Sequence, residues 1–584
     1  MSNIPDPQQT MQSWLQAGQA FAQGYTQFIA KQQENLHKTM GATPPPAGVS
    51  PAAWLPESEA ATALQKEWMA RHAELWQAML QRKSGEAPAE PLVRPEPGDR
   101  RFDHPAWAEN PIHDYVRQAY LVNAEYLRKI AEASPVAEGA KDRLRFLTRQ
   151  YIDAMAPSNF AATNPEFIKT ALATQGESIR QGIQNLLNDL DKGRISMTDD
   201  SAFEVGRNLA VTPGAVVFEN EVMQLIQYSP LTEKVAERPF LIVPPCINKF
   251  YILDLQPENS FVRYAVEQGQ TVFLVSWRNP KAEQGHLTWD DYIESGALKA
   301  LSVVREICGV KKVNALGFCV GGTILSSALA VMKSRGDDWV ESLTLLTTLL
   351  DFSETGELNC FIDEASVASR EATIGKGGLL AGRELSSVFS ALRANDLIWQ
   401  YVVGNYLKGD KPKAFDLLYW NSDSTNLPGP FTAWYLRNMY LENNLRVPGR
   451  LSMCGVKADL GRVDMPAFIL ATREDHIVPW KSSYLGRGLL GGKTTFVLGA
   501  SGHIAGVINP AVKNKRSHWV NESDAANPEE WLETATEVKG SWWSGWSAWL
   551  KGFGGKQITA RGRLGSESYP PKEPAPGRYV KEKA

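Results

Sequence analysis

Cysteine is scarce in this 584-residue chain. There are five, Cys246, Cys308, Cys319, Cys360 and Cys454, with no CxxC pair among them. An odd, scattered set argues against a disulfide framework and a cysteine zinc site, and favours a reducing compartment. Strong charge of one sign is also missing. The net charge of −4 leaves no global field to attract nucleic acid. No apolar run reaches the roughly 18 residues of a membrane span. The opening MSNIPDPQQT has neither a basic segment nor an apolar one, so no signal peptide is expected. These absences leave a cytosolic protein long enough for two or more domains.

What is present divides the chain in two. Residues 1–200 read as helical. Trp14, Phe21, Tyr25, Phe28 and Ile29 recur at helical steps, and Leu64, Trp68, Leu75, Trp76, Met79 and Leu80 form a second apolar face. Pro-rich linkers flank both helices, so their faces need a partner: the main body, another subunit or an apolar surface. Residues 201–584 change character. Short continuous apolar runs begin at Phe240, Thr271, Val313, Ser342, Ala467 and Thr495, most of them separated by helix-length segments. Continuous runs imply strands buried on both faces, hence an α/β fold with a mainly parallel sheet. The gap between the fourth and fifth runs is too long for one crossover. Residues 350–440 are therefore read as a cap inserted over the sheet's C-terminal edge. The tryptophans at 542, 543, 546 and 549 fall at helical spacing and read as core, and the Gly- and Pro-rich tail after residue 553 reads as loose.

One short stretch concentrates chemistry. Gly317-Phe-Cys319-Val-Gly321 follows an apolar run and precedes a small-residue helix pattern. This is the G-x-S-x-G elbow with cysteine as nucleophile. The alternative is a glycine-rich turn holding a buried thiol. A thiol is mostly protonated near neutral pH and needs a base or a positive field. Two later runs end in suitable residues: Asp475 past the run at 467, and His503 in a Gly-bounded loop past the run at 495. Nucleophile, acid, base is the chain order of α/β-hydrolases. Glu474 competes as the acid and His476 as the base. Asp475 and His476 cannot readily serve each other, because adjacent side chains diverge. The oxyanion hole should use the N–H of Val320 and a donor from the loop after Val243. Pro244 and Pro245 have no N–H, which leaves Cys246 or Ile247. Cys246 as a second nucleophile is a weaker alternative.

The motifs GFCVGGT at 317, PPCINKFYILD at 244, VSWRNP at 275, REDHIVPW at 473 and GHIAG at 502 together resemble the polyhydroxyalkanoate synthases. AMAPSNF at 154, YWNSDSTN at 419 and PAPGRYV at 574 extend the resemblance over roughly residues 95–584. The single long chain with a helical N-terminal region looks like class I. This resemblance implies an α/β-hydrolase fold with a lid over Cys319. It also implies polymerisation of (R)-3-hydroxyacyl-CoA, with the hydroxybutyryl thioester as the substrate expected of this class, through thioesters on Cys319, with release of CoA. No cofactor or metal is implied, since coenzyme A is the substrate's carrier. It further implies a homodimer on the polyester granule surface, possible granule-associated protein partners, and Arg393, Tyr440 and His476 as substrate or CoA contacts. A cysteine thioesterase or polyester depolymerase would use the same triad, and a non-catalytic granule coat is the reading from a different class.

Overall fold

The computed structural model describes residues 58–82 and 90–584. The face at residues 14–29 lies outside them. The chain divides into two units. One comprises residues 1–199 with 387–414, and the other 200–386 with 415–584.

In the first unit, the helix Ser58–Gln81 packs on Pro111–Glu132. Asn110 caps the latter by accepting from the amides of Ile112 and His113, with Pro111 at the first helical position. The apolar face of Ser58–Gln81 is narrower than its spacing suggests. Leu75 is buried, whereas Trp76 and Leu80 are exposed. The segment 387–414 belongs to this unit, whereas residues 350–386 and 415–440 belong to the other. The reason is a specific fit to the helix Glu177–Lys192. A Cβ at Gly182 would sit 2.1 Å from the Tyr406 carbonyl oxygen, so the two backbones touch there. The Tyr406 hydroxyl donates to Asp189 at 2.7 Å, and Trp399, Val402 and Tyr406 bury against Leu186. Phe389, Trp399, Tyr401 and Tyr406 lie on this segment and so belong to the first unit, whereas Cys319 belongs to the second.

The second unit is built on an eleven-stranded sheet. In chain order its strands are β1 (Gly214–Glu219), β2 (Met223–Tyr228), β3 (Phe240–Val243), β4 (Val272–Trp277), β5 (Val313–Phe318), β6 (Val340–Leu346), β7 (Ala467–Thr472), β8 (Thr494–Gly499), β9 (Ser517–Val520), β10 (Thr536–Lys539) and β11 (Glu573–Pro574). Across the sheet they run β10-β9-β8-β7-β6-β5-β3-β4-β2-β1-β11. The six apolar runs of the sequence are β3 to β8, and these are the parallel strands. Both faces are covered, which is why they carry no polar alternation. Strand β3 lies between β4 and β5, so the chain reverses its direction of travel across the sheet at that point. The loops after β3 and β5 diverge there and leave a crevice at their C-terminal ends.

The five outer strands are antiparallel to their neighbours. Two of them depend on the tail after residue 553, which is ordered. Gln224 and Gln227 of β2 are buried. Gln224 accepts from the Tyr579 amide at 3.2 Å, and Gln227 from the Gly565 amide at 2.6 Å. The tail supplies the donors that these side chains lose to burial, and its β11 pairs with β1. A composition that suggests a loose end is here a strap that satisfies polar groups. The tryptophans at 542, 543 and 546 are core. Each is at most 2% exposed, and all three surround Phe261.

Candidate functional site

Cys319 stands between β5 and the helix Val320–Ser334, with φ 52° and ψ −129°. An L-residue held there stores about 1–3 kcal/mol of strain, which the surroundings must offset. They do so through the backbone. The Cys319 amide donates to Leu346 at 2.9 Å, and its carbonyl accepts from Gly322 at 2.9 Å. The glycines are required by contact. A Cβ at Gly317 would lie 2.3 Å from the Gly322 Cα, and one at Gly321 would lie 2.4 Å from the carbonyl oxygens of Val243 and Pro244. The helix start is thus pressed onto the loop after β3. Gly321→Ala must push that loop away. We expect a loss of about 1–3 kcal/mol in stability and a larger proportional loss of activity, measured by denaturant melting and by initial rates.

His503 and Asp475 follow β8 and β7, neighbouring parallel strands. The His503 Nδ1–H donates to Asp475 Oδ2 at 2.7 Å, in a pair whose side chains are 6% and 0% exposed. The other carboxylate oxygen, Oδ1, accepts from the amides of Ile477 and Val478 at 2.9 and 2.8 Å. Those two bonds anchor Oδ1 on its own loop and leave Oδ2 to meet His503. The imidazole also stacks on Phe318, with ring centres 5.8 Å apart. Burial works against the imidazolium, but the charges and hydrogen bonds of Asp475 and Cys319 outweigh it and push His503 up to about 10. A proton on the imidazole is therefore favoured beside the sulfur. Glu474, the competing acid, faces solvent. His476 is half-buried, and its carbonyl lies against Gly356.

Val320 opens its helix, so its N–H has no acceptor within that helix. The loop after β3 carries Cys246, buried, and Ile247, half-buried. Burial and the proximity of Cys319 hold the Cys246 thiol well up, which disfavours a second thiolate. Tyr440 is half-buried in an aromatic group with Phe352 and Tyr435, at ring distances of 5.1 and 5.3 Å. Burial first, and the Cys319 charge second, raise its phenol well above the usual range. Arg393 lies in the helical unit, where its guanidinium pairs with Asp396.

No part in the site was expected of Tyr435, Phe318, Trp542 or Trp543. Tyr435 is buried and stacks on Trp289, 5.2 Å between centres. Trp542 and Trp543 donate from their indoles to the carbonyls of Gly506 and Val507, at 3.0 and 2.9 Å, and so hold the loop of His503. Their helical spacing signalled a core but not which loop that core would support.

Two family models match the chain: the N-terminus of poly-beta-hydroxybutyrate polymerase over residues 98–265, and the alpha/beta hydrolase fold over residues 239–510. The poly(3-hydroxyalkanoate) polymerase subunit of Cupriavidus necator is 55% identical, with 89% of this chain and 88% of that protein aligned. The corresponding subunit of Rhizobium meliloti is 41% identical over 91% and 87%. Poly(3-hydroxyalkanoate) polymerase 1 of Ectopseudomonas oleovorans is 40% identical over 84% and 88%.

Proposed function

The chain belongs to the poly(3-hydroxyalkanoate) polymerases, and from that premise we propose how its residues carry the reaction. It is an acyltransferase that joins hydroxyalkanoate units into a polyester. The substrate is (R)-3-hydroxyacyl-CoA, with the hydroxybutyryl thioester as the unit expected from the class I resemblance. Cys319 is the nucleophile. Its thiolate attacks the acyl carbonyl of the CoA thioester, and the resulting oxyanion is met by the N–H of Val320 and that of Cys246 or Ile247. Collapse breaks the bond to CoA, whose thiolate takes the proton held by His503. The acyl group stays a thioester, so the hydroxyl of another unit can attack it downhill to an ester. His503, oriented by Asp475, accepts that hydroxyl's proton as the Cys319 thiolate leaves.

The observation that carries this reading is the buried Asp475–His503 pair in the same unit as a cysteine on a strained elbow. Tyr440 lines the approach to the sulfur as a substrate contact, and His476 is a further one at the rim. Growth of an insoluble chain places the enzyme at a granule surface, as a homodimer. Among the described residues no helix is long and apolar enough to cross a membrane.

The purified protein with (R)-3-hydroxybutyryl-CoA tests the proposal. We expect CoA release matched by insoluble polymer, with the protein sedimenting on it. Free hydroxy acid without polymer would identify a thioesterase instead. A series of thioesters of increasing acyl length then sets the size limit of the pocket.

A further inference from the structure

The loop that supplies the second oxyanion donor is held from outside. Three of its carbonyls are taken by donors remote in sequence. The Trp277 indole donates to Pro244 at 2.7 Å, the Thr425 amide to Ile247 at 3.0 Å, and the Trp420 indole to Lys249 at 2.7 Å. A bridge pairs Asn248 with Ser424. The Tyr251 hydroxyl donates to Asp423 at 2.9 Å, and the Lys249 ammonium to the Glu582 carbonyl at 2.5 Å. Trp420, Tyr251 and Lys249 are at most 4% exposed. A peptide group is planar, so fixing its carbonyl fixes the N–H across the same plane. The two peptide groups that present the N–H of Cys246 and Ile247 lie between the tied ones.

We propose that the segment 420–425, part of the long insertion between β6 and β7, is a clamp that sets the oxyanion hole, with Trp420 as its principal positioning residue. This rests on the reading of Cys319 as nucleophile and of the loop after β3 as oxyanion donor. Trp420 touches no reacting atom. It acts through the Lys249 carbonyl, three residues past Cys246, and the Thr425 and Ser424 contacts keep the intervening loop in register. The acylation step needs that register, because charge develops on the carbonyl oxygen and a displacement of about 1 Å can cost on the order of 100-fold.

The test separates oxyanion chemistry from thiolate chemistry. Trp420→Phe keeps an aromatic ring, though one smaller than the indole, and removes the indole N–H. Iodoacetamide alkylates a thiolate without forming an oxyanion, so it reports the Cys319–His503 pair alone. We expect Trp420→Phe to lower kcat/KM for CoA release by roughly 10- to 100-fold. The rate of Cys319 alkylation, located by mass spectrometry, should stay within about twofold of the parent and melting should be nearly unchanged. Tyr251→Phe, which unties Asp423, should show the same pattern to a smaller extent. Unchanged turnover in both variants overturns the clamp, and so does alkylation that falls in step with turnover. Failure of the underlying reading looks different. Full alkylation of Cys319 in the parent protein would then leave turnover intact, and the clamp would fall with it.

Discussion

Cys319→Ala is expected to stop CoA release, with a fall of roughly 10⁴- to 10⁶-fold in turnover and little change in melting. The effect is large because every step of the proposed reaction passes through this sulfur. Alanine leaves no covalent acceptor, so the acyl group cannot leave CoA while retaining thioester energy. The fold should persist, since the strained backbone at residue 319 is held by its own amide and carbonyl. Initial rates of thiol release, with intact-mass spectra for acyl-enzyme, check both points. An alanine variant that still released CoA at the parent rate would leave a coat protein or a different nucleophile as the explanation. Cys246 is poorly placed for that role, because its thiol is buried and held well up.

Asp475→Asn should lower turnover by about 10³- to 10⁴-fold while the circular dichroism spectrum stays that of the parent. The amide retains an oxygen for the Ile477 and Val478 amides, so the loop keeps its turn. What is lost is the charge that orients and protonates His503. In the parent, Asp475 and Cys319 raise His503 from 6.5 to about 10 against burial. A raised histidine stabilises the fold fully below its unfolded value, and this contribution is lost as pH rises through the folded value. Here that window runs from 6.5 to about 10. Removing the carboxylate lowers the folded value. The basic limb of the activity profile should move to lower pH, and the decline of stability across the window should flatten. Melting and rate profiles from pH 6 to roughly 10 measure both. A basic limb that did not move would mean that Asp475 is not the group coupled to His503.

Much of this was legible in the residues. The parallel strands β3 to β8 announced themselves as continuous apolar runs, because a strand covered on both faces has no side free for polar residues. Cys319, Asp475 and His503 were legible because each follows one of those runs directly. The outer strands were not. Gln224 and Gln227 interrupt β2, and nothing local indicates that amides from Gly565 and Tyr579 would satisfy them. The division of the long insertion was equally hidden. Its aromatics look alike along the chain, yet 387–414 seats on Glu177–Lys192 through the small size of Gly182 and the Tyr406–Asp189 bond. The motif at 419–426 could be noticed in the sequence but given no task, because its contacts reach loop residues about 170 positions away.

The chain by itself determined the sheet, the kinds of reactive group and their order, since these follow from which residue comes after each apolar run. Tertiary structure alone decided that Asp475 rather than Glu474 meets the histidine, and that His503 stacks on Phe318 next to Cys319. It also decided that the loop after β3 is held by residues 420–425. Each of these is a relation between loops leaving different strands. Their separation is set by strand order, register and burial across the whole sheet, and no local pattern in the sequence carries that distance.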